Sequence, residues 1–158
     1  MRNLPKVLIF LFLLTALPSS ARTDSEQLLV LHNQARLNGY RCGLFAREYA
    51  SPLSWNVKLA QAATTHAHAM AKANKLSHKL EGSISQRLSH AGYKWAALGE
   101  NLLTGLSSAK VAHKAWLQST QHCKNIMNDQ FTEMGAAHHE GYWVVIFATP
   151  FNRPQRPD

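Results

Sequence analysis

Acidic side chains are scarce: nine Asp and Glu stand against seventeen Lys and Arg in 158 residues, and charged residues of both signs make up only 16% of the chain. With 46% hydrophobic residues, this excludes a charge-extended, disordered chain and fits one compact core. The cations occur singly rather than in runs. That argues against nucleic-acid recognition and leaves solubility and a weak attraction to acidic surfaces. No apolar run reaches the roughly 17–25 residues needed to cross a bilayer. There is no His-Glu-x-x-His helix, no Gly-x-Ser-x-Gly elbow and no phosphate-cradling glycine loop, so the common hydrolase and nucleotide machineries are not written in the chain.

What is present begins with an export signal. Arg2 and Lys6 precede an apolar run from Val7 to Leu17, followed by Pro18-Ser19-Ser20-Ala21. Short apolar length and small residues before the cut identify residues 1–21 as a secretory signal peptide rather than an anchor. Residues 22–151 are then the domain and 152–158, with Pro154 and Pro157, a frayed tail. Export implies a secreted, extracellular or periplasmic protein in an oxidising compartment. Cys42 and Cys123 are expected to pair there, with two separate thiols as the alternative. A bridge would close a loop of roughly 80 residues and contribute about 4–5 kcal/mol in the chain-entropy model.

Hydrophobic periodicity predicts helices over Asp24–Asn38, with Leu28, Leu31 and Ala35 inward, and over Asn56–Lys75, with Leu59, Ala63, Ala67 and Met70 on one stripe. Shorter helices are predicted over Ser85–Ala91 and Ser107–Leu117, the latter with Val111, Ala115 and Trp116 inward. Residues 40–54 read as an ordered loop tied down by the bridge. Phe131–Ala137 and Tyr142–Ala148 read as a hairpin around His138-His139-Glu140-Gly141, its second strand buried on both faces, and a further extended piece lies near Leu98–Leu103. Helices packed on an antiparallel sheet give an α+β fold.

The chain carries nine histidines, and the question is which of them can converge. His66 and His68 lie about 200° apart around a helix and cannot chelate one ion together. His66 reads as a packed core imidazole, His68 and His113 as residues on solvated faces, and His138 and His139 as turn residues pointing apart. His78, Glu100 with Asn101, and His122 stand instead at the ends of elements, where a scaffold presents groups to a cleft. Two imidazoles and a carboxylate suit a divalent ion with open positions or an acid/base pair. The bland alternative is that each satisfies backbone groups locally.

At these residues the chain resembles the CAP superfamily of cysteine-rich secretory proteins, antigen 5 and pathogenesis-related proteins, in its bacterial SCP-like branch. The carriers are Leu31-His32-Asn33-Gln34-Ala35-Arg36, Leu53-Ser54-Trp55-Asn56, Ser77-His78, Gly92-Tyr93, Gly99-Glu100-Asn101-Leu102, Trp116-Leu117-Gln118-Ser119, His122-Cys123-Lys124-Asn125-Ile126-Met127 and Phe131-Thr132-Glu133-Met134-Gly135. The resemblance implies a three-layer α-β-α sandwich around a central antiparallel sheet. It also implies a cleft in which His78, Glu100 and His122 meet a second acid. Ser119 stands where that acid is expected, and Glu133 is a substitute whose strand position does not match. His78 and His122 would then hold Zn2+ or another divalent cation weakly and in a pH-sensitive way, with Glu100 nearby, through water where it does not reach the ion. Asn33, Arg36, Asn101 and Asn125 are expected to fix the cleft walls by hydrogen bonding. Trp55, Trp116 and Trp143 read as core, whereas Tyr93 and Trp95 could line an apolar groove.

Three functions are compatible with this reading. The first is a monomeric secreted module binding a lipid, a sterol or another small ligand. The second is a hydrolase of the protease or esterase kind, with His78, Glu100 and His122 as its catalytic candidates. The third is an interaction protein at the cell envelope. With one matched acid and no nucleophile, binding is favoured over hydrolysis.

Overall fold

The computed structural model describes residues 23–151. The expected signal peptide and the tail from residue 152 onward lie outside the described residues. The centre of the fold is β6 (Tyr142–Pro150), a strand of Val, Ile, Ala and aromatic residues that is buried along all but its last position. It pairs antiparallel with β5 (Glu133–His139) on one side and with β4 (Trp95–Thr104) on the other. A two-residue strand β3 (Ser54–Trp55) adds a short parallel pairing to β5, giving the order β3-β5-β6-β4. Because successive strand residues point to opposite faces, Trp143, Val145 and Phe147 enter one core and Val144, Ile146 and Ala148 the other. Each large side chain so buried contributes about 1.5–3 kcal/mol.

One face is covered by α2 (Val57–Ala73) and α3 (Ile84–His90), the other by α1 (Asp24–Asn38), α4 (Ala109–Gln118) and α5 (Thr120–Met127). This is the α-β-α sandwich that the resemblance implies, its sheet antiparallel except for the short β3–β5 pairing. The α2 stripe of Leu59, Ala63, Ala67 and Met70 is fully buried as predicted. The helix backbone rests almost directly on the sheet: a Cβ on Gly135 would lie 2.1 Å from the Ala60 amide nitrogen, so only glycine fits there. Asn56 starts α2 by accepting from the amides of Lys58 and Leu59, and Asn74 ends it in a left-handed conformation.

The other helical layer is fastened by polar groups. Arg36 is fully buried and donates to the carbonyls of Ser51, Ile126, Asn128 and Phe131 at 2.6–3.1 Å, while Asn33 both donates to and accepts from the Leu53 backbone. These two residues fix the 50–54 and 126–131 segments as expected. Cys42 and Cys123 form the predicted disulfide.

Several expectations need correction. The buried row of α1 is Leu28, His32 and Arg36, with Leu31 and Ala35 only half buried, because the polar side chains there find partners inside. In α4 the inward face is Ala109, Ala112, His113 and Trp116, and Val111 is 47% exposed. The apolar residues alone misjudged the helix phase. His138 and His139 are not turn residues but the last two of β5, and the turn is Glu140-Gly141, both at positive φ. They do point apart: His138 stacks on Trp143, and His139 stacks on His68. The 40–54 loop contains a small antiparallel ribbon, β1 (Tyr40–Arg41) with β2 (Arg47–Glu48).

His113, expected on a solvated face, is 8% exposed, and its Nδ1 lies 3.2 Å from Nδ1 of the fully buried His32. One ring donates to the other, which requires both to be neutral or only one charged. Burial pushes the His113 imidazole down to about 4, and burial together with the His113 charge holds His32 well below its usual value. An unfolded imidazole titrates near 6.5, so the unfolded chain takes up protons that the folded one refuses. Stability from this pair is complete above about pH 6.5 and is lost as pH falls toward 4, by about 3 kcal/mol for His113 alone. Urea unfolding at neutral and mildly acidic pH should show this loss in the parent and a smaller one in His113→Gln. Equal losses would exclude the pair as its source.

Candidate functional site

Consecutive residues of β4 carry the site, one on each face of the sheet. Gly99-Glu100-Asn101 lies opposite Phe147, Ile146 and Val145, so Glu100 points into the α2 and α3 layer and Asn101 into the α5 layer. A Cβ on Gly99 would lie 2.8 Å from the Phe131 ring, so the strand passes close under that side chain.

The Glu100 side chain is 4% exposed, and both its oxygens are engaged. Oε2 accepts from Arg87 Nη2 at 2.5 Å, and Oε1 lies 2.8 Å from His78 Nδ1. A carboxylate kept ionised by a guanidinium can only accept, so Nδ1 of His78 carries the proton. The imidazole is thereby oriented, and its Nε2 is the nitrogen left for a ligand. His78 itself sits in the turn after α2, and its side chain is 58% exposed at the rim.

Arg87 was not singled out by the sequence. It lies on α3, which begins with a capping box between Ser83 and Gln86. Besides Glu100, its Nη1 donates to the carbonyls of His78, Leu80 and Gly82. One buried guanidinium therefore holds both the acid and the loop that bears His78. The only local sign was an arginine beside Leu88 on the inner face of a short helix, and nothing in the spacing tied it to Glu100.

His122 lies in α5, on the other side of the sheet edge. Its backbone carbonyl accepts from Asn101 Nδ2 at 3.0 Å, and Asn125 Nδ2 donates to the Asn101 side-chain oxygen and to the Glu100 carbonyl. The two asparagines do fix this wall. His122 Nδ1 lies 2.9 Å from the Ser119 hydroxyl, so the residue standing at the expected second acid touches the second histidine without supplying charge. Burial first, then the nearby His78 charge, hold the His122 imidazole below its ordinary value. Glu133 does not join this group: it accepts from Tyr93 Oη at 2.6 Å and from Asn56 Nδ2. His66 is buried beneath the site among Glu100, Arg87 and His78, with neither ring nitrogen in a well-formed hydrogen bond among the described residues. Burial lowers its pKa, so it packs as a neutral ring, the core role expected of it.

For a divalent ion the donor set is thin. His78 and His122 each have Nδ1 engaged and Nε2 left, and Glu100 stands behind His78 in the position of a supporting acceptor. No three His, Cys, Asp or Glu side chains gather at metal-binding spacing among the described residues. Two imidazoles without a third protein ligand do not make a closed structural zinc centre.

Away from these residues, a groove of about 460 Å3 is lined by Ser89, Gly92, Tyr93, Lys94, Trp95 and Phe151, and it adjoins a second one of about 380 Å3 that reaches Asn56, Lys58 and Glu133. The apolar lining expected from Tyr93 and Trp95 is present, but His78, Glu100 and His122 are not part of it. Burial, then the bond to Glu133, raise the Tyr93 pKa, so its hydroxyl stays protonated as a donor.

Breaking a buried ion pair leaves an uncompensated charge and costs about 3–5 kcal/mol. Arg87→Met is therefore expected to lose stability on this scale, and Arg87→Met with Glu100→Gln to lose less than the two single variants added together. Additive losses in urea unfolding would mean that the two side chains are not coupled.

The family model described as CAP, the cysteine-rich secretory protein family, matches residues 29–147. The chain is similar to YlbC, an uncharacterized membrane protein of Bacillus subtilis (strain 168), with 28% identity over 127 residues covering 79% of this chain and 34% of YlbC. Its fold is similar to that of an extracellular protein containing a SCP domain from Bacillus anthracis str. Ames, at 26% identity and a TM-score of 0.69, covering 79% of this chain and 40% of that one. It also matches an outer surface protein from Borrelia burgdorferi at 20% identity and a TM-score of 0.67, covering 80% of this chain and 92% of that one. The chain thus spans about a third of YlbC and two fifths of the Bacillus anthracis protein. No helix among the described residues is long and apolar enough to cross a membrane. With the family model spanning all three layers of the sandwich and every segment that carries the site, this chain belongs to the CAP, or cysteine-rich secretory protein, family.

Proposed function

We propose that this chain is an exported ligand-binding module, and that its ligand is an apolar molecule with an acidic head, of the fatty-acid kind, held in the Tyr93–Trp95–Phe151 groove. The supporting observation is the groove itself: the rings of Tyr93, Trp95 and Phe151 form an apolar floor, with Lys94 beside them to meet a carboxylate. Phe151 is 69% exposed, which leaves its ring available to a ligand.

The His78, Glu100 and His122 group is a separate, more polar site in this reading. A divalent cation there would be held by the two Nε2 atoms and would supply a Lewis acid. The chain's own residues favour binding over hydrolysis at that place. Both Glu100 oxygens are already committed to Arg87 and His78, so the carboxylate is not free to take a proton from water.

A brominated fatty acid tests the reading, because its bromine quenches a tryptophan only in contact. It should quench the parent's fluorescence saturably, and Trp95→Ala and Phe151→Ala should each bind a tritiated fatty acid about tenfold more weakly, the scale of losing one aromatic side chain's contacts. Unchanged affinity in both variants would exclude the groove.

A further inference from the structure

We propose that the disulfide-tied loop between α1 and β3 is a docking surface for anionic phospholipid bilayers, with Leu44 and Phe45 entering the acyl boundary and Arg41, Arg47 and Lys124 meeting lipid phosphates. The inference does not rest on the groove reading.

Of the eight large hydrophobic side chains exposed among the described residues, three fall within six positions here: Leu44 at 103%, Phe45 at 49% and Tyr49 at 64%. A fully exposed leucine next to an exposed phenylalanine at a loop tip contributes nothing to the two cores, and clustered exposed apolar groups mark interaction sites. Around them cations outnumber acids. Arg41 and Arg47 are directly opposite each other in the β1–β2 ribbon, where like charges repel, and neither forms an ion pair among the described residues. Lys124 adds a third cation with its Nζ 3.5 Å from the centre of the Phe45 ring. Glu48 is the one acid between Tyr40 and Ala50. Arg47 donates from Nε to the Gly39 carbonyl at 3.1 Å and lies 6.0 Å from the centre of the Tyr49 ring, so its charge is held in place without an acid to neutralise it. Two such cations beside an apolar tip suit an anion next to hydrocarbon, and a bilayer containing acidic phospholipid supplies both.

The loop is also held in shape. Cys42 is bonded to Cys123 of α5, and Gly43, at φ +64°, packs so closely on α5 that a Cβ there would lie 2.6 Å from the Thr120 hydroxyl. A wedge fixed at its base loses little freedom on docking. The two-residue register places Arg41 and Arg47 on the same face of the ribbon, so both can reach one layer of head groups.

The test is co-sedimentation of the exported protein, its mass showing removal of residues 1–21, with phosphatidylglycerol–phosphatidylcholine vesicles and with pure phosphatidylcholine vesicles. The proposal expects binding to the mixed vesicles only, weakened by salt. Arg41→Gln with Arg47→Gln should weaken it about twenty-fivefold, from roughly fivefold for each cation at the surface. Leu44→Ser with Phe45→Ser should weaken it at least about tenfold, and Lys110→Gln with Lys114→Gln, on exposed α4, less than about twofold. Circular dichroism and thiol titration confirm that each variant is folded and bridged. No binding, equal binding to both vesicles, or equal loss in the α4 variant would overturn the proposal. So would retained binding in Leu44→Ser/Phe45→Ser with full competition by soluble polyphosphate, which would mark a polyanion site instead.

Discussion

A carboxylate withdrawn into the edge of a sheet must be compensated, and in this protein the compensation of Glu100 decides the shape of the polar site. The strand that carries it is pinned to β6 along its length, so Glu100 cannot turn to solvent without disturbing the pairing. Arg87 supplies the opposite charge from α3 and uses its other nitrogen to gather the three carbonyls of the loop above. His78 is therefore presented by a loop whose backbone is bonded to the same guanidinium that fixes its carboxylate partner. The acid, the loop and the imidazole form one unit, and disturbing any member is felt by the others.

The neighbouring residue carries the same logic to the other helical layer. Asn101 emerges on the opposite face of β4 and reaches the His122 backbone, while Asn125 bonds back to Asn101 and to the Glu100 carbonyl. Two consecutive strand residues thus link α3 on one face to α5 on the other. The disulfide sits one residue from His122 and ties α5 to the exposed loop. Helix α5 consequently supports two features at once, the second imidazole of the site and the base of the cationic wedge.

Much of this was legible in the sequence where one physical signal dominates. The α2 stripe and the double burial of β6 followed from apolar periodicity, which is strong in long, uniformly apolar segments. The pairing of Cys42 with Cys123 followed from compartment and count. Other parts were not legible for stated reasons. Helix α5 is short and mostly polar, and its inward face of Cys123, Ile126 and Met127 is too brief to show a period. The phase of α1 and α4 was misjudged because polar residues, His32, Arg36 and His113, occupy the buried rows, and polar burial depends on partners far away in sequence. Arg87 escaped for the same reason, since its acid lies thirteen residues away on another element. His78 was readable as a candidate past the end of α2, but Glu100 and Asn101, expected at an element end, lie in the middle of β4, and His122 lies within the first turn of α5. That Ser119 meets His122 while Glu133 serves Tyr93 and Asn56 could be seen only in three dimensions.

Glu100, clamped by Arg87, fixes the His78 ring with its proton on Nδ1 and its Nε2 lone pair outward. Nitrogen-15 NMR of the histidine rings reads this directly at a pH above about 7, where an ordinary imidazole is neutral. His78 is expected to be protonated at Nδ1 and bare at Nε2. A His78 ring protonated at Nε2 with Nδ1 bare would contradict it.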